Sequence, residues 1–91
     1  MYLIKIVTNT IGGLNSNNIE IREILREPIK WSAAKIILVH NHPSGDVIPS
    51  NSDIKFTKKV FEAALVFGIE LIDHIIIGDN KFCSLKRLKK F

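Results

Sequence analysis

Cysteine is all but missing from this sequence. Cys83 is the single one in 91 residues, so no internal disulfide can form, and the chain must hold together by burial in a reducing environment. It falls in a strand-like stretch and reads as a buried structural thiol rather than a reactive one. Long apolar runs are missing as well: none approaches the roughly 18 residues of a membrane span. The N-terminus also lacks the basic region, apolar core and small-residue cleavage site of a signal peptide. These absences exclude a membrane partner and make the cytoplasm the expected compartment. Repeats, low-complexity stretches and linkers are absent too. With 46% hydrophobic and 24% charged residues the chain is well clear of the disordered class. Its length has room for one small domain, 1–91, near the lower end of what a single core sustains. Acid is scarce at the start, where no carboxylate precedes Glu20.

What is present in excess is positive charge, a net +4. It gathers in two places, Lys55, Lys58 and Lys59 on one helix face and a basic tail at Lys86-Arg87-Leu88-Lys89-Lys90. A solvated face and a frayed tail account for both. Nucleic-acid binding is the alternative. Without a helix-turn-helix, zinc-finger spacing or an aromatic-interleaved basic strand, it would be weak, sequence-blind and salt-sensitive.

The most informative stretch runs from His40 to Asp53. Ile36-Ile37-Leu38-Val39 is a short, wholly apolar run of the kind a buried strand uses, and it delivers His40 and His42 at its end. Residues two apart on a strand project from one face, so the two imidazoles can converge on an ion with Asn41 turned away. Pro43-Ser44-Gly45-Asp46 supplies a turn, and Ser50 with Asp53 three residues on is a helix start. Two imidazoles and a carboxylate form a ligand set of catalytic zinc, which keeps its fourth position for a water whose pKa falls to roughly 7. Amide hydrolysis is the natural inference. The plainer alternative is a capped helix beside a strand that ends in histidines.

His-x-His, seven residues, Ser, two residues, Asp resembles the metal signature of the JAMM (MPN-plus, JAB) domain. Leu38 to Asp46, Gly68 to Asn80 and Gly12-Gly13-Leu14-Asn15-Ser16 resemble its bacterial branch, the RadC-like family associated with DNA repair. The resemblance covers about residues 12 to 86. It implies a three-layer α/β domain of the deaminase-like type, a mixed sheet flanked by helices, and a zinc ion held by His40, His42 and Asp53. It also implies that Ser50, through its hydroxyl, helps hold the water or the oxyanion. The family places further strands before Gly12 and a helical module before those, so residues 1–11 read as a divergent or remnant strand and the chain as N-terminally truncated.

One family feature does not match. JAMM enzymes carry a glutamate on an earlier strand that moves a proton from the water to the leaving amine. By position it should lie near Lys5, Ile6 or Val7, and none is acidic. Glu20, Glu23 and Glu27 fall in a helical region, where the family also carries acids away from the metal. Such a base is worth about 10²–10⁴ in rate. Two readings follow: a zinc metallopeptidase acting on peptide or isopeptide bonds of a protein substrate, or a catalytically impaired zinc-binding interaction module.

The remaining pattern predicts strand 2–7, a turn through 9–13, and helix 18–27 stopped or kinked at Pro28. Strand 36–40 follows, then helix 51–67 capped by Gly68, with Ile54, Val60, Phe61, Ala64, Leu65 and Phe67 as its apolar face. Strand 69–77 then turns through Gly78-Asp79-Asn80 into a hairpin partner at 81–85. Asp73 and His74, adjacent on a strand, face opposite ways and cannot share an ion. His74 reads as structural or as a contact behind a zinc histidine. Asp46 reads as solvated. Trp31 reads as a core or subunit-contact aromatic, the latter in a homodimer.

Overall fold

The computed structural model describes residues 1–6 and 21–91. Val7, the turn at 9–13, the Gly12–Ser16 motif and the expected helix start with Glu20 lie outside the described residues. The elements run β1 (Tyr2–Ile6), α1 (Ile21–Lys30), β2 (Lys35–Asn41), α2 (Asn51–Val66), β3 (Glu70–Gly78) and β4 (Lys81–Ser84). Together they make a mixed α/β fold. The strands form one four-stranded sheet in the order β1-β2-β3-β4, parallel from β1 to β3 and antiparallel between β3 and β4.

β2 is central, and its alternation follows from that: Ile36, Leu38 and His40 are completely buried, while Ile37 and Val39 are half-buried. Both described helices feed the core on the Ile36/Leu38 side, α1 with Ile24 and Leu25 and α2 with Phe56, Val60 and Ala64. The β2–β3 register is irregular. Ile36 aligns with Leu71, but Ile37 aligns with Asp73, so Ile72 is an extra residue. This bulge shifts the phase of β3, and Leu71 and His74, three apart, are both buried.

Pro28 does not stop α1, which continues to Lys30. It lies in the last turn, where its missing N–H forfeits one bond, while its carbonyl accepts from Ala33 N at 2.9 Å and its ring is buried. Trp31 is no core residue, being 65% exposed. Lys30 Nζ lies 5.7 Å from its ring centroid.

α2 begins with a capping box and ends with Gly68 at φ 72°, whose N–H donates to Leu65 while Ile69 N donates to Ala64. Its buried stripe is Asp53, Phe56, Thr57, Val60 and Ala64. Leu65 and Phe67, expected on the apolar face, are exposed, and Phe56 takes a place there. The helix turns Asp53 and Thr57 inward, while Asn51 and Ser52 stay exposed. At the hairpin, the Asp73 carboxylate accepts from His74 N (2.7 Å), Ser84 Oγ (2.5 Å) and Lys86 N (3.0 Å), pinning β4 to β3. The C-terminus is not frayed: Lys90 N donates to Leu85 O, and Phe91 meets Phe61 edge-on at 5.8 Å. No described helix is long and apolar enough to cross a membrane.

Candidate metal centre

β2 carries His40 to its C-terminal end, and the chain holds His42 just beyond it by a bond from His42 N to Ile77 O on β3, 2.9 Å. Asp53 comes from the first turn of α2. Ser50 Oγ accepts from Asp53 N at 3.0 Å, and Asp53 Oδ2 accepts from Ser50 N at 2.8 Å. The cap that starts the helix therefore also aims the carboxylate. His40 Nδ1 is 3.6 Å from Asp53 Oδ1, and His42 Nε2 is 3.2 Å from Asp53 Oδ2. One ligand atom from each of the three lies within 4.8 Å of the others.

All three side chains are buried, and that decides their chemistry. Burial pushes His40 below the ordinary imidazole range, against the raising effect of Asp53 and with a lowering one from His42, so its ring is neutral and offers a lone pair. His42 Nδ1 lies 2.7 Å from the Asp46 carbonyl; since a carbonyl only accepts, Nδ1 carries a proton and Nε2 is the nitrogen turned to Asp53. Asp46, otherwise exposed as expected, thus fixes a tautomer through its backbone. His40 Nδ1, His40 Nε2 and His42 Nε2 are buried without a hydrogen-bond partner. Unpaired buried nitrogens are costly, and a divalent cation between one nitrogen of each imidazole and the Asp53 carboxylate satisfies both sides of that contact. The residues present fit a metal ion.

A search against family descriptions matches residues 1–90 to the "RadC-like JAB domain". The chain belongs to the RadC-like JAB domain family. Among curated relatives, the UPF0758 protein of Desulforamulus reducens is 57% identical over 79 residues, covering 87% of this chain and 35% of that protein. The UPF0758 proteins of Desulforudis audaxviator and Clostridium perfringens are 56% and 59% identical, over 85% and 82% of this chain and 34% and 33% of theirs. The chain spans about a third of the length of these relatives.

In this JAB domain the register separates the candidate positions for a base. Ile6 pairs with His40 and shares its face, whereas Lys5 pairs with Val39, faces away and is exposed. Ile6 is 5% exposed, so the place beside His40 is apolar. Glu23 is exposed and bound to Arg26 at 2.7 Å, and Glu27 is exposed. Ser50 is half-buried at the cap.

Sequence reasoning missed Thr57 and the paired glycines. Thr57 Oγ1 donates to the Asp53 carbonyl at 2.6 Å; its place one turn beyond Asp53 was the available signal. Gly78 lies against the metal loop so closely that a Cβ there would sit 2.3 Å from Gly45 O. His74 is completely buried, with its ring centroid 5.8 Å from that of His40. A cleft of about 410 Å³, lined by Asn41, His42, Pro43, Ser44, Gly45, Gly78 and Asp79, opens beside His42.

Proposed function

We propose that this domain binds one zinc ion through His40, His42 and Asp53, in a site of hydrolytic type whose proton-transfer partner is missing from the first strand. The observation that carries the reading is the cluster of buried, unpartnered imidazole nitrogens around the Asp53 carboxylate. Two neutral imidazoles and one carboxylate are a zinc ligand set that leaves a position open. A zinc ion bound there supplies a Lewis acid that activates water and polarises a carbonyl. Peptide or isopeptide bonds are the substrate class this chemistry suits, and a cleft opens beside His42. Ser50 directs Asp53 through the cap, and its hydroxyl keeps a proton to donate toward a polarised oxygen.

With Ile6 where a carboxylate would face His40, the second reading gains weight: the isolated chain holds zinc but transfers protons poorly and is a weak peptidase. Elemental analysis tests the shared premise. The wild type should carry about one zinc per chain, and His42→Ala or Asp53→Ala should carry far less. Equal zinc content in all three rules the site out.

A further inference from the structure

His40 and His42 differ in one respect. The Asp46 carbonyl satisfies His42 Nδ1, whereas neither nitrogen of His40 has a hydrogen-bond partner. An imidazole that binds an ion through one nitrogen carries its proton on the other, and that N–H ordinarily finds an acceptor. The ring of His74 stands beside His40, centroids 5.8 Å apart and planes tilted by 32°, with its Nε2 buried and unpartnered. The β3 bulge is what turns it there, since it brings His74 into line with Leu38 on the buried face of the sheet.

Counting protons tells what His74 offers. Thr57 Oγ1 lies 2.6 Å from the Asp53 carbonyl and 2.6 Å from His74 Nδ1. A hydroxyl has a single proton and a carbonyl only accepts, so Thr57 donates to Asp53 and accepts from His74 Nδ1–H. His74 Nε2 is then a bare lone pair on a ring that lies beside one with a donor to place.

We propose that His74 is a positioning residue of the metal site: with an ion bound to His40, its Nε2 accepts the non-ligating N–H of that ring, while Thr57 ties the same imidazole to the backbone of Asp53. The inference rests on the zinc reading above. It makes β3 a support for two of the three ligands, one reached directly and one through a hydroxyl.

The test uses the zinc-loaded full chain. Long-range ¹⁵N–¹H correlation spectra assign the protonated nitrogen of each histidine; His74 should be protonated at Nδ1 alone, and His74 protonated at Nε2 overturns the proposal. Chelator competition then measures zinc affinity. Thr57→Val and His74→Phe should each weaken it about 10–100-fold, the usual effect of removing such a support, while Thr57→Ser should stay close to wild type. If His74→Phe does not fold, the Thr57 pair and the wild-type tautomer decide the matter. Wild-type affinity in both Thr57→Val and His74→Phe overturns the inference and leaves the zinc site standing. A wild type that takes up no zinc overturns both.

Discussion

Ile6 is the residue on which the proposed activity turns. Parallel neighbours in register share a face, so a carboxylate at position 6 points toward His40 and one at position 5 points away. Ile6→Glu should raise zinc-dependent hydrolysis of a generic peptide by up to about 10²–10⁴-fold, and Lys5→Glu should not. A rate assay on the two variants checks this, and equal behaviour counts against the role assigned to β1. His74 gives a second prediction. Burial, reinforced by His40 and opposed by Asp53 and Asp73, lowers its pKa from 6.5 to about 4. The unfolded chain therefore takes up a proton that the folded chain refuses, so the contribution is complete above about pH 6.5 and is lost as pH falls toward 4. Metal-free protein should lose up to about 3 kcal/mol across that window, at 1.36 kcal/mol per pKa unit. Urea midpoints at pH 7 and 5 should differ less for His74→Gln than for the wild type. Cys83 carries no such lever: burial, with Asp73 second, raises its pKa and keeps the thiol protonated.

Among the elements, β2 and the first turn of α2 were legible because their signals are local. An apolar run ending in His-x-His and a Ser-x-x-Asp start each fix their own geometry, and the convergence of His40, His42 and Asp53 follows. The β3 bulge was not legible, since alternation through Ile69–Ile77 carries no mark of an inserted residue, and it is this bulge that delivers His74. The extent of the α2 stripe was misread for a related reason: Asp53 and Thr57 are buried for the sake of the site, which hydrophobic periodicity cannot register. Two glycines separate fold from site experimentally. Gly68→Ala meets nothing within 4 Å but must hold φ 72°, so it should cost about 1–2 kcal/mol without altering zinc affinity. Gly78→Ala drives a Cβ onto Gly45 O and the Val47 side chain, and should weaken zinc binding as well as stability. Thermal melts with and without zinc distinguish the two effects.

At the scale of the whole molecule, the basic residues are distributed unevenly in their dispensability. Lys55, Lys58 and Lys59 are exposed on α2, but the terminal segment that carries Lys89 and Lys90 also supplies Phe91 to the core. Deleting it changes packing together with charge, so Lys89→Gln and Lys90→Gln are the cleaner probes. If these cations meet phosphates, duplex affinity should fall steeply with salt, and the double substitution should flatten the log-log slope by about 0.9 for each phosphate no longer neutralised. Absence of binding at low salt leaves them as solubilising charges. The close approach of Gly78 to Gly45 reaches further, into the order in which the molecule is made. All three candidate ligands have left the ribosome once Asp53 has, yet the loop that holds His42 is fastened to Ile77 and Asp79, through His42 N to Ile77 O and Asp79 N to Gly45 O. Parallel pairing across such sequence distances forms late. If the proposed site takes zinc, a nascent chain halted after α2 should therefore be blind to it although it already owns every donor, and acquisition of the ion becomes a timestamp for the docking of β3 beside β2.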